Sequence, residues 1–231
     1  MADDNDTPWR NAMIPFEVKD CTLLARMSGL PPAFNLRELR ERIAVCGENV
    51  LFHHFCETTL RGTFDNPDYR NDFAVWSKLY LGDRVVSERL GILDPYAFPS
   101  LGELRAATLE VIDERLGEST MIPWARPGDE FFFMEATTVV FDTGIRITHP
   151  RELAAFIGAM TVGSVYFHFL EARRRPPIGK DDFTAWLLEN GNGGKNRPYI
   201  DALASIDFYF HTLPHLRSEL VKVLSGLEGS K

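Results

Sequence analysis

The sequence predicts a mainly α protein: two tandem, structurally similar helical modules related by a pseudo-twofold axis, with room for a short β-hairpin at the start of each. Three observations predict it. First, the run Val50-Leu51-Phe52-His53-His54-Phe55-Cys56-Glu57, with Arg61 after it, returns as Ser164-Val165-Tyr166-Phe167-His168-Phe169-Leu170-Glu171, with Arg175 after it. His54 thus recurs as His168, 114 positions on, and Arg37-Glu38-Leu39 recurs as Arg151-Glu152-Leu153 at the same shift. Asp72-Phe73-Ala74-Val75-Trp76 recurs as Asp182-Phe183-Thr184-Ala185-Trp186, 110 positions on. Repetition of this kind points to similar units packed about a common axis. Second, apolar residues recur at three- and four-residue spacing through most of the chain. Third, residues 117–129 hold two prolines and two glycines in thirteen positions, which forbids regular structure there. The expected modules are residues 15–117 and 130–227, joined by a linker at 118–129. They are expected to share one core, because each carries more aromatic side chains than a small module buries alone.

The elements follow in order. Residues up to about 14 are polar and read as a loose arm. Residues 16–24 form a short apolar element of undecided type, ended by Gly29 and Pro31-Pro32. Asn35 is a suitable N-cap for a helix with Leu36, Leu39 and Ile43 on its apolar side. A second helix starts near Glu48 and carries Val50, Leu51, Phe55 and the His-Glu-Arg set. Residues 64–68 are a turn, after which Asn71 or Asp72 caps a helix with Phe73, Trp76 and Leu79. A helix near 83–92 presents Val85, Val86 and Leu90. A long one then carries Leu101, Leu104, Leu109, Ile112 and Leu116 up to Gly117 as its C-cap. The second half opens on Phe131-Phe132-Phe133. Residues 137–141 and 145–148 are β-branched runs flanking Asp142-Thr143-Gly144, the pattern of a hairpin. Helices are expected again around Leu153 to Ile157, over 164–175, around Phe183 to Leu187, near Leu203, and from Leu213 to Leu224.

Bulk properties exclude several partners. A net charge of −8 over 231 residues argues against nucleic acid, which demands a basic face. Arg173-Arg174-Arg175 reads as a solvated helix end. The cysteines, Cys21, Cys46 and Cys56, are odd in number and form no CxxC pair, which favours a reducing cytoplasm. The acidic start is no signal peptide, and no apolar run approaches the roughly 20 residues needed to span a bilayer.

The candidate chemistry lies in the repeated polar residues. At about 100° per residue, His54, Glu57 and Arg61 fall within about 60° of one another on a helix, as do His168, Glu171 and Arg175. Three readings compete. In the first, the residues form a structural network, with Glu57 on Arg61 and Glu171 on Arg175. In the second, they bind a small anion or a sugar phosphate, with arginine giving bidentate contact. In the third, His and Glu from both copies hold a metal, although helical di-metal bundles carry more carboxylates and the order Glu-x-x-His. His53, matched by Phe167, reads as a core histidine. Asp72 with Trp76 and Asp182 with Trp186 read as an N-cap plus a core aromatic. Pro214 keeps His211 and His215 from sharing a helical metal face. There is no phosphate-binding loop, no GxSxG elbow and no HExxH, and no cofactor is expected.

Lys19-Asp20-Cys21-Thr22-Leu23, Asn35-Leu36-Arg37-Glu38-Leu39, the His-His-Phe helix and Asn71-Asp72-Phe73-x-x-Trp76 together resemble an uncharacterised bacterial family, one of the catalogued domains of unknown function. The resemblance covers nearly the whole chain, and both copies share it. It implies a helical, cytoplasmic bacterial protein from a family sometimes found beside sugar-transferring enzymes. The repeated polar face in otherwise apolar helices makes non-catalytic binding or regulation the expected function. A small anion, a sugar-related ligand or a protein partner would be held between the repeats by His54, Glu57, Arg61, His168, Glu171 and Arg175. The alternatives are a metal-dependent enzyme using the same His-x-x-Glu helices, and a structural subunit of a homo-oligomer.

Overall fold

The computed structural model describes residues 14–60, 69–176, 179–191, 194–208 and 211–227. The chain is 55% helical and 15% strand, a mixed α/β protein. Strand β1 (Phe16–Met27) and strand β2 (Met134–Ile147) pair in a two-stranded antiparallel sheet. The expectation of a mainly α pair of tandem, similar modules about a pseudo-twofold, each with its own hairpin, is corrected by this sheet. The undecided element after residue 15 is β1, and its partner lies more than a hundred residues away. The segment read as a hairpin turn, Asp142-Thr143-Gly144, runs inside β2. Gly144 takes φ 77 there, and the Asp142 carboxylate accepts both the Gly144 N–H at 2.8 Å and the Arg146 guanidinium. Those local bonds satisfy the Asp-Gly pair without reversing the chain, and β1 supplies the ladder that a hairpin partner would otherwise give.

The chain divides into two compact units. One holds the residues up to Asp20, Phe141–Phe208 and the chain from Pro214 on; the other holds Cys21–Val140 and a short piece ending at Leu213. Each strand therefore contributes to both units.

In the Cys21–Val140 unit, each helix buries one apolar stripe. The core takes Leu36, Leu39 and Ile43 from α1 (Leu36–Val45), Val50, Leu51 and Phe55 from α2 (Glu48–Cys56), and Phe73, Ala74 and Trp76 from α3 (Asp72–Leu79). Val86 and Leu90 of α4 (Arg84–Gly91), Leu104 and Ile112 of α5 (Leu101–Glu118), and Phe131 and Phe133 complete it. The helix starts are capped as the sequence suggests. Asn35 accepts the Glu38 N–H at 2.9 Å while Glu38 accepts the Phe34 N–H at 2.9 Å, a reciprocal pair that satisfies two otherwise orphaned donors. The C-terminus of α5 differs: the helix runs through Gly117 and ends at Glu118.

In the other unit, α6 (Leu153–Ala159) and α7 (Val162–Val165) are short. The helix expected over 164–175 is not a regular α-helix. After α7 the backbone widens into a π-turn over Tyr166–Leu170 and then tightens into a 3₁₀ turn over Glu171–Arg174. Helices α8 (Asp182–Glu189), α9 (Arg197–Ala204) and α10 (Leu213–Ser225) follow. Phe16, Val18, Ile147, Ile157, Phe169, Phe183, Leu216 and Leu220 are buried. Among the described residues, no helix is long and apolar enough to cross a membrane.

Candidate functional site

His54 sits in the last turn of α2 and is 2% exposed. Its Nδ1 lies 2.7 Å from Asp72 Oδ2, and its Nε2 accepts the Met134 backbone N–H at 3.0 Å. An imidazole nitrogen that accepts an amide hydrogen must carry a lone pair, so the ring proton is on Nδ1 and goes to Asp72. The cap of α3 sets the carboxylate. Asn71, not Asp72, is the N-cap: its side chain accepts the Ala74 N–H at 2.9 Å and donates to the Leu90 carbonyl at 2.8 Å. Asp72 is thus free to turn toward α2, in the first helical turn where the peptide dipoles favour negative charge. Phe131 at 4.8 Å and Phe73 at 5.3 Å flank the imidazole.

His53, the neighbouring residue, is fully buried and points elsewhere. Its Nδ1 is 2.8 Å from Glu57 Oε2, and Glu57 Oε1 accepts the Thr138 hydroxyl at 2.8 Å. Its Nε2 is buried without a hydrogen-bond partner. Glu57 lies four positions after His53, an ordinary helical neighbour, and its carboxylate goes to that ring rather than to His54. Arg61 lies outside the described residues.

His168, in the other unit, is held the same way as His54. Its Nδ1 is 2.8 Å from Asp182 Oδ2, and its Nε2 accepts the Lys19 backbone N–H at 2.8 Å. Phe16 lies 4.8 Å from the ring, the distance that separates Phe131 from His54. Arg175 joins the group. Its Nη2 donates to Asp182 Oδ2 at 2.9 Å and to the Phe167 carbonyl at 3.0 Å, its Nε lies 2.6 Å from Glu171, and its guanidinium stacks 4.1 Å over Phe167. The cap of α8 is Asp181, which accepts the Thr184 N–H and hydroxyl and pairs with Arg173. Burial pushes the Asp181 carboxyl above its usual range, partly offset by those donors and the arginine.

The sequence-predicted residues are therefore brought together only in part. His168, Glu171 and Arg175 form one network, but through Asp182. His54 and Glu57 answer to different partners. Sequence reasoning took Asp72 and Asp182 for caps; the preceding residues, Asn71 and Asp181, are themselves good caps and were the signal that the aspartates had other work. The strand amides of Lys19 and Met134 leave no such signal. Among the described residues, no group of three His, Cys, Asp or Glu side chains is placed to hold a metal ion.

A shallow, open cleft lies beside the His54–Asp72 pair. Val75, Trp76 and Tyr80 line one side, and Glu130, Phe131, Phe132 and Met134 line the other. Tyr80 and Phe132 are each 45% exposed, whereas Trp76 is buried and donates its indole N–H to the Asp129 carbonyl at 2.8 Å. In a second depression, around Asp83, Arg84, Arg115 and Met121, Asp83 caps α4 and pairs with Arg115 at 2.8 Å.

The model of a family of unknown function, DUF5752, matches residues 13–225 of this chain. The chain is also similar to the solved structure of OrfY from Thermoproteus tenax, at 28% identity and a TM-score of 0.77, over 95% of this chain and 98% of that one. No curated protein matches.

Proposed function

For a chain that belongs to DUF5752, a family of unknown function, we propose a non-catalytic binding role, with a small ligand seated in the cleft beside Asp72 of the Cys21–Val140 unit. One observation carries the reading. Both nitrogens of His54 and both nitrogens of His168 are engaged, one on a carboxylate and one on a strand amide. Neither ring has a lone pair or proton left for a reacting group or a metal, which weighs against the metal-dependent enzyme. These residues support the surface; they do not act on a ligand.

A small anion is poorly served. Arg175 is spent on Glu171 and Asp182, and the cleft presents carboxylates. The sugar-related ligand expected from the sequence resemblance is one arm of the test. Cytoplasmic residence belongs to the same proposal and is supported by three buried cysteines, none in a disulfide.

The test is an amide-resolved NMR titration of the full chain with glucose, inorganic phosphate and choline in turn. Saturable shifts at Tyr80, Phe132 and Met134 with one of the three are expected. Shifts confined to other residues, or none with any probe, overturn the reading.

A further inference from the structure

We infer that the chain pairs with a second copy of itself through the outer edge of β1, over residues 23–27, in a four-stranded sheet about a twofold axis that does not involve the cleft beside Asp72. A two-stranded ribbon has two outer edges, and this fold covers them unevenly. Near its start β1 is covered: the Lys19 N–H goes to His168, and the Lys19 carbonyl accepts the Ser164 hydroxyl at 2.7 Å. β2 starts under His54, which takes the Met134 N–H at 3.0 Å. Further along, β2 is guarded differently. Asp142 and Arg146 pair at 2.6 Å beside Gly144, whose φ of 77 interrupts the pleat. Charges and irregular backbone of this kind keep an edge from pairing.

Residues 23–27 have neither protection. The Ser28 N–H reaches the Phe133 carbonyl at 2.9 Å. Backbone groups alternate along a strand, so Leu24 and Arg26 face β2, while Leu23, Ala25 and Met27 turn their N–H and C=O groups away. By the same count Met134 faces outward on β2, and it is the residue whose N–H His54 takes. Among the described residues, no hydrogen bond from outside the sheet reaches Leu23, Ala25 or Met27. Leu24 and Met27 are 62% and 52% exposed, the most exposed large apolar side chains of either strand.

A second copy fits this edge by symmetry and by charge. A twofold at Ala25 sets Ala25 against its own counterpart and Leu23 against Met27, so every outward N–H meets an outward carbonyl. Leu24 then lies opposite Arg26 of the second copy. Arg26 is the one charge in the stretch, and Glu135 of its own ribbon holds it at 2.6 Å, so no uncompensated like charges meet. The pairing buries the exposed edge and turns two strands, too few for a stable free-standing sheet, into four. The edges left outside are those of β2, so association stops at two copies. A short edge makes the dimer weak and dependent on concentration.

The experiment is sedimentation velocity of the full chain from about 5 to about 500 µM. A monomer that gives way to a dimer, and to nothing larger, is expected. Ala25→Pro removes an outward N–H without touching the ladder to β2, so it should weaken association at least about tenfold with the Tm unchanged. Leu24→Lys puts a like charge opposite Arg26 and should weaken association at least about fivefold, whereas Leu24→Glu should leave it as tight or tighter. Amide exchange of the native chain gives a reading that needs no variant: protection at Leu23, Ala25 and Met27 rises with concentration, while Leu24 and Arg26 are protected throughout. A chain that stays monomeric to about 500 µM overturns the inference. So does a dimer that A25P leaves as tight as the native one, equal weakening by L24K and L24E, or exchange at Ala25 that ignores concentration.

Discussion

His168 Nε2 accepts the backbone N–H of Lys19 at 2.8 Å, across 149 residues of sequence. The other ring nitrogen holds Asp182, so a single side chain ties strand β1 to the start of α8. His168→Ala should therefore cost about 2–4 kcal/mol, from a lost buried ring and a half-buried strand amide left without its acceptor. Urea denaturation of the two proteins measures it. A change within about 0.5 kcal/mol would mean that the staple contributes nothing.

The pair His53–Glu57 calls for a double-mutant cycle. Glu57→Leu leaves the buried His53 Nδ1 and the Thr138 hydroxyl without their acceptor and should cost about 2–3 kcal/mol. Adding His53→Phe removes the stranded partner along with its unsatisfied Nε2, and should recover about half of that loss. Additive losses in the double variant would contradict the coupling.

Asp181 gives a pH dependence with a definite sign. Burial holds its folded carboxyl above the unfolded value, so the native state binds this proton more tightly. The corresponding stability is fully present below the unfolded carboxylate pKa and is lost as pH rises through the raised folded value. Asp181→Asn keeps the capping acceptor, as Asn71 does for α3, and removes the buried charge. The variant should be more stable than the native chain at neutral pH, with the advantage shrinking as pH falls into the carboxylate range. Thermal melts of both proteins across that range decide it; an advantage that grows toward acid reverses the sign and the argument.

Arg175 tests geometry against charge. Lysine keeps the charge but cannot fork between Glu171 and Asp182 or stack flat on Phe167. The side chains are 20–36% exposed, so solvent screening keeps the loss for Arg175→Lys near about 1 kcal/mol. A lysine variant as stable as the native chain, at low and at high salt alike, would show that the fork and the stack contribute nothing.

The candidate site was half legible before folding. The repeated imidazoles announced themselves as polar residues within apolar runs, and both proved buried and hydrogen-bonded. Their partners were not legible. The helical-face argument paired His54 with Glu57 three positions on, but Glu57 also lies four positions after His53, and its carboxylate goes there. Around His168 a π-turn breaks the same periodicity. Helical spacing puts residues three and four apart on one face alike, so it leaves open which of those neighbours a side chain takes.

The amino-acid order by itself determined most of the helices, the caps at Asn35 and Asn71, and the apolar stripes that became the core. Those features rest on bonds between residues three or four apart, so short windows carry them. Folding in three dimensions alone decided that 16–27 is a strand, that Asp142-Gly144 does not turn the chain back, and that Asp72 and Asp182 take the histidines. A strand's ladder and a buried ring's partners come from distant segments, and no local pattern encodes which segment will arrive.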